Sequence, residues 1–234
     1  MRKLDASDVL LLWERGLTRH AIDRSSLLVA WARPELAAER IADLPLGEVT
    51  ANLLQLRAAS FGARIRAHVD CERCGQRLEL NLVAHELLQP GSAPSLETAV
   101  AGLRLRPPCL RDLAAIAHER DAERAARALL ARCMLSAPAD VAALPDATLR
   151  EIEDALEAAD PNADLAFDVR CEACDHLGTA QLDAGELLWD EIDARARALL
   201  GEVHLLASAY GWSEGAVLGL SAARRAAYLS MVAA

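Results

Sequence analysis

Val69-Asp70-Cys71-Glu72-Arg73-Cys74-Gly75-Gln76 and Val169-Arg170-Cys171-Glu172-Ala173-Cys174-Asp175-His176 are two segments of one chain whose relation decides the fold. Laid on each other without a gap, residues 69–88 and 169–188 share Val69, both cysteines, Glu72, Leu82, Ala84, Glu86, Leu87 and Leu88 with their counterparts. Ahead of Cys71, Ile65, Ala67 and Val69 alternate with Arg64, Arg66 and His68. Beyond Gly75, Leu78, Leu80 and Leu82 alternate with Glu79 and Asn81. Period two on both sides of a short polar turn predicts a hairpin with the cysteine pair at its tip. Leu165, Phe167 and Val169 repeat the lead-in before Cys171. The pattern predicts two copies of a strand–knuckle–strand–helix unit.

A Cys-x-x-Cys turn places two thiolates on one ion and offers backbone amides to hold them. One knuckle supplies half of a tetrahedral shell, and two supply all of it. Cys71, Cys74, Cys171 and Cys174 are therefore the predicted ligands of one structural zinc per chain, soft thiolates suiting that ion. The 96 residues between Cys74 and Cys171 then form an insertion closed at its base by the metal. Such a loop is tolerable because closure cost grows only logarithmically with length.

Outward from the knuckles the period is helical. Asp8 is a predicted cap for a helix ending at Gly16, Asp23 or Ser25 for one ending before Pro34, and a third runs from Leu46-Gly47 to Gly62. After a loop at 89–94 and a short strand at Leu103 and Leu105, helical spacing returns at Leu113 and Ile116, then at Leu129, Leu130 and Cys133. Pro138 and Pro145 bracket a loop, Leu149, Ile152 and Leu156 mark a helix, and Asp160-Pro161-Asn162 breaks it. Ile192, Ala196, Leu199, Val203, Leu206 and Tyr210 form the clearest helical stripe, with Gly211 as its stop and Ser213 and Ser221 as caps of two short helices. The fold class is α+β, predominantly α-helical: a split zinc-ribbon-like pair of β-knuckles with a helical insertion and flanking helices. Its regions are 1–63 (helical), 64–88 (first knuckle), 89–163 (insertion), 164–185 (second knuckle, completing the ribbon) and 186–234 (helical).

Composition narrows the function. The 234 residues are 53% hydrophobic but only 3% aromatic, which favours helix, and too apolar for a disordered chain. Thirty-five acids against 25 bases give a net charge of −10, which argues against a nucleic-acid coat. No apolar run has signal-peptide or membrane-spanning length, so the expectation is a cytosolic protein with reduced thiols. No phosphate loop, dinucleotide glycine pattern, nucleophile elbow or His-Glu-x-x-His occurs. A closed four-cysteine site leaves no open position for substrate, so the chain is expected not to be an enzyme.

Other readings remain for the cysteines. A redox pair needs a helix start behind a buried strand, and here Glu72 and Glu172 sit inside motifs flanked by strands. The thiols could also be buried without metal, or form two sites with His68, His85 and His176, although Gln76 stands opposite His176. Arg64, Arg66, Arg73 and Arg77 support a nucleic-acid-binding ribbon, against the net charge and the scarcity of aromatics. Cys109 and Cys133 read as core residues, and His20, His118 and His204 as surface or satisfied core residues.

Three pieces together resemble a known family: Leu11-Leu12-Trp13-Glu14-Arg15-Gly16-Leu17 with Asp23-Arg24, the two knuckles, and the tail. In the tail the matching runs are Trp189–Asp193, Glu202–Ala207, Tyr210–Glu214 and Leu220–Leu229. They resemble the T-even-phage-type baseplate hub assembly chaperones, whose zinc-ribbon-bearing members belong to phage-tail-like contractile injection systems. Glu72 and Glu172 stand where that resemblance leads one to expect prolines. The resemblance implies a bacterial, cytoplasmic, non-enzymatic protein that assembles or stabilises a baseplate, whether or not it stays in the particle. Its implied partners are hub or spike proteins, with no nucleic acid, membrane or small-molecule substrate.

Overall fold

The computed structural model describes residues 3–89, 94–135, 141 and 144–232. Within it, α1 (Ala6–Gly16) is capped by Asp5 rather than Asp8. Asp8 is the other half of a capping box: the Asp8 amide donates to Asp5 at 2.8 Å and the Asp5 amide to Asp8 at 3.1 Å. His20, not Asp23 or Ser25, caps α2 (Ala21–Ala32), its ring Nδ1 accepting from the Ile22 amide. A short α3 (Ala38–Ala42) follows, then α4 (Leu46–Phe61), which ends at Gly62 as its sequence predicts.

The first hairpin pairs β1 (Arg64–Asp70) with β2 (Arg77–Val83). In the insertion, β3 (Thr98–Val100) pairs with β4 (Leu103–Leu105), and α5 (Leu110–Ile116), α6 (Ala122–Cys133) and α7 (Asp146–Ala159) follow. The second hairpin pairs β5 (Ala166–Arg170) with β6 (Leu177–Gln181). A 27-residue α8 (Ala184–Tyr210), α9 (Glu214–Leu218) and α10 (Ala222–Val232) end the chain. Most of the 89–94 loop, residues 90–93, lies outside the described residues, as does Pro138. No helix among the described residues is long and apolar enough to cross a membrane.

The duplicated unit is thus realised unequally. Ala184–Leu188 opens α8, whereas Ala84–Leu88 makes only turns. Asp183 explains the difference, because its carboxylate accepts from the amides of Gly185 and Glu186 at 2.7 and 3.0 Å. Val83 at the matching position cannot cap, and Pro90 stands where the first copy's helix would continue.

The main core joins the N-terminal helices to α8. Leu12, Leu28, Leu54 and Leu56 pack with Leu188, Ile192 and Leu199, all fully buried. Two polar ties fix this packing. The Trp13 indole donates to Asp193 at 2.7 Å. Buried Arg57 on α4 forms a two-pronged ion pair with Glu191 on α8, at 2.6 and 3.0 Å, and donates to the carbonyls of Gly62 and Arg64 at 2.6 and 2.7 Å. One guanidinium therefore locks α4, α8 and the entry to β1 together.

The insertion has a small core of its own, built on Leu105, Leu130, Val141 and Ile152. At its base Asp112, fully buried, receives Arg106 at 2.6 and 3.0 Å and Arg132 at 3.0 Å. Burial works to raise the Asp112 pKa, but Arg106 and the Cys109 thiol and amide outweigh it and bring it down to about 2. Cys109 and Cys133 are both buried, as their sequence setting predicts, and burial pushes the Cys133 thiol up to about 12.

The exit from the insertion is tied to the helical region by a cap from a distant residue. Pro45 at the start of α4 offers no side-chain cap. Buried Asp160 supplies one, accepting from the Gly47 amide at 2.8 Å across 113 positions. The contact requires glycine, since a Cβ at position 47 would lie 2.0 Å from Asp160 Oδ1. Gly47→Ala is expected to cost about 2 kcal/mol, because the site must be forced apart. Gly201→Ala, at a mid-α8 position with nothing within 4 Å of the new methyl, should instead stabilise by about 1 kcal/mol. Urea unfolding of the two variants checks the opposite signs.

Candidate metal centre

The two knuckles have one local construction. In the first, the Cys71 amide donates to the Gln76 carbonyl at 2.9 Å and the Gly75 amide to the Cys71 carbonyl at 2.8 Å. In the second, Cys171 donates to His176 and Asp175 to Cys171 at the same two distances. Strand registers match as well: Asp70 faces Arg77, and Arg170 faces Leu177, each pair flanking its turn. The turn needs a left-handed residue after the second cysteine. Gly75 takes φ of 71° and Asp175 of 56°. Glycine does so freely, and aspartate is among the few side chains that tolerate it.

The hairpins stay two separate two-stranded sheets and share no ladder. Both rest on the main core, through Ile65 and Leu82 of the first and Leu165 and Leu182 beside the second, and their tips meet at the sulfurs. Cys71 Sγ lies 3.7 Å from Cys174 Sγ, and Cys74 Sγ lies 3.6 Å from Cys171 Sγ. All four Sγ atoms fall within 4.8 Å of one another. Metal–sulfur bonds of about 2.3 Å at tetrahedral angles place neighbouring sulfurs about 3.8 Å apart, so the donor set fits one tetrahedral ion. No bond joins any two of the sulfurs.

Each knuckle buries its first cysteine and turns its second outward. Cys71 and Cys171 are buried, Cys174 is half-buried and Cys74 is exposed. Burial works to raise the Cys71 thiol, but the amides of Cys74 and Arg73, with the sulfurs of Cys171 and Cys174, outweigh it and lower it to about 6. The His176 amide favours a Cys174 thiolate, yet burial and the three neighbouring sulfurs push that thiol up to about 12. Four sulfurs this close hold negative charge unequally in the absence of a cation to offset it.

The four sequence-predicted ligands are therefore all brought together, and the histidines are not among them. His68, His85 and His176 lie outside the cluster found among the described residues. His176 contributes its backbone, accepting from Cys171 and donating to the Cys174 sulfur, and Gln76 does the same in the first knuckle. Side-chain identity at 76 and 176 is thus immaterial to the turn. The sequence carries no signal for these amide donors beyond the motif spacing itself. Neither motif begins a helix, the placement a thioredoxin-type pair requires. Of the arginines that suggested nucleic acid, Arg77 pairs with Asp70 at 3.4 Å, whereas Arg64 and Arg66 lie opposite Val83 and Asn81.

The tail stripe divides between two partners. Ile192, Ala196 and Leu199 enter the main core, and α10 covers the later part of α8. There Trp212 stacks on Tyr210 and meets Tyr228 edge-on, both at 4.8 Å. Buried Arg225 reaches Glu202 at 2.7 Å.

Residues 34–183 match the family described as T4 bacteriophage base plate protein. The chain belongs to that family. The matched span of this baseplate protein runs from before α3 to the residue that caps α8, and so contains both knuckles and the whole insertion. The N-terminal motif at 11–17 and the tail lie outside it. No curated protein and no solved structure matches the chain.

The two left-handed positions offer a test of the knuckle geometry. Gly75→Asp should be tolerated, because it copies the second knuckle. Gly75→Val should cost about 1–2 kcal/mol, the β-branched side chain clashing in that conformation. Thermal unfolding of the two variants against the parent gives the order.

Proposed function

We propose that this baseplate protein is a non-enzymatic structural or assembly component of a phage-tail-like contractile injection system, held in shape by one zinc ion. The observation that carries this reading is the family match across both knuckles, joined to a four-sulfur cluster of tetrahedral spacing. Zinc suits four thiolates and has no redox chemistry of its own. Cys71, Cys74, Cys171 and Cys174 would hold it, and when bound it would offset half of the charge of four thiolates and fix the two turns relative to each other. A closed shell of four protein ligands leaves no position for substrate, which supports a structural role. The partners are other baseplate proteins, with hub or spike components the first candidates.

The metal and partner halves are tested separately. Purified protein should contain about one zinc per chain, and Cys71→Ser or prolonged chelation should remove it with a large drop in melting temperature. Folded, equally stable protein without metal would refute the metal half. A tagged chain expressed in a producing strain should co-purify with hub or spike proteins. Particles that assemble unchanged after deletion of the gene would refute the partner half.

A further inference from the structure

The insertion contains an open apolar cleft that the four-cysteine cluster does not account for. It lies between α6 and α7 and has a volume of about 360 Å³, within the range of formed binding sites. Ala126 and Leu129 of α6 face Leu149 and Leu156 of α7 across it, over a floor of Cys133 and Ile152. The two amphipathic helices rest on other elements, α6 on α5 and α7 on β3. Among the described residues the small core beneath them is built on four buried apolar side chains, so a further apolar layer there would add burial to it.

Charge on the rim says what that layer is. Arg127 is drawn to Glu123 at 2.7 Å on its own helix. Asp146 and Glu153, two turns apart on α7 beside Leu149 and Leu156, form no ion pair among the described residues. The rest of α7 adds Glu151, Asp154 and Glu157 against Arg150 alone. An apolar trough edged by unneutralised carboxylates complements a helix with an apolar stripe at i, i+3, i+4 and i+7 flanked by cationic side chains. We propose that the α6–α7 cleft is a docking site for one basic amphipathic helix of a partner protein, which completes the insertion's core as a third helix.

The test uses the full chain and synthetic peptides of about 18 residues, long enough to span the cleft as a helix. One carries a leucine stripe flanked by lysines, one has the same composition scrambled, and one has glutamates in place of lysines. The striped lysine peptide should bind one to one, with hydrogen-exchange protection confined to α6 and α7. The scrambled and glutamate peptides should bind about tenfold more weakly or worse. Ala126→Trp, which fills the cleft from an exposed position, should reduce binding by about tenfold or more. Asp146→Asn with Glu153→Gln should weaken it and flatten its salt dependence, and carries the test should Ala126→Trp not fold. Equal binding of the scrambled peptide, insensitivity to both variants, or protection elsewhere would overturn the proposal. So would a chain that sediments as a dimer and becomes monomeric on Ala126→Trp, since a second copy would then be the occupant.

Discussion

Four sulfurs drawn from two turns, 97 positions apart at their closest pairing, are the constraint on which the architecture depends. The hairpins that carry them exchange no strand hydrogen bonds; they share only the main core, through Ile65 and Leu82 of the first and Leu165 and Leu182 beside the second, and the sulfur cluster at their tips. The entropic cost of closing so long an excursion is modest because it rises only with the logarithm of length. The cost of gathering four thiolates without a cation is not modest, since like charges at 3.6 to 3.7 Å repel strongly in a partly buried setting. The cluster is therefore stable only with its sulfurs largely protonated or with a metal among them. In the second case the ion's binding energy becomes folding energy.

Around this base the chain builds two cores with different dependencies. In the larger, the helical frame of α1, α2 and α4 wraps the first half of α8, and Arg57 reaches from that frame to the carbonyls that launch the first knuckle. The smaller belongs to the insertion. The insertion leans on the frame at the Asp160 cap and at the Leu46 amide donating to the Pro108 carbonyl at 3.1 Å, while Asn162, accepting from the Gln89 amide at 2.8 Å, ties its two ends together. The metal centre, the Asp160 cap and the Asn162 contact all sit near the two ends of the insertion. That is where a segment joined to the rest at its roots must be secured.

The sequence made the knuckles legible because their signal is dense: period-two alternation, fixed cysteine spacing and a second copy to compare. The same comparison misled at one point, since equal Ala-x-Glu-Leu-Leu runs do not make equal helices. Asp183 caps one and Val83 cannot cap the other, so a single residue outside the identity decided the outcome. Helix starts were misplaced for a related reason. Asp5 and Asp8 are both competent caps, and only the reciprocal bonding of a capping box tells which position is outermost. At α2 the cap is the His20 ring nitrogen, and histidine is outside the side chains that commonly mark a helix start. Asp160 could not be found at all, because a cap supplied from 113 positions away leaves no local pattern. It read as a helix break, and it is also the contact that starts α4. The strand β3 and helix α3, three and five residues long, are too short for periodicity to register.

X-ray absorption at the metal edge of the purified protein tests the central claim most directly. Four sulfur neighbours at about 2.3 Å, with no nitrogen or oxygen in the shell, is the predicted result. A shell with fewer sulfurs, or with histidine or water in it, would contradict the closure of both knuckles on one ion.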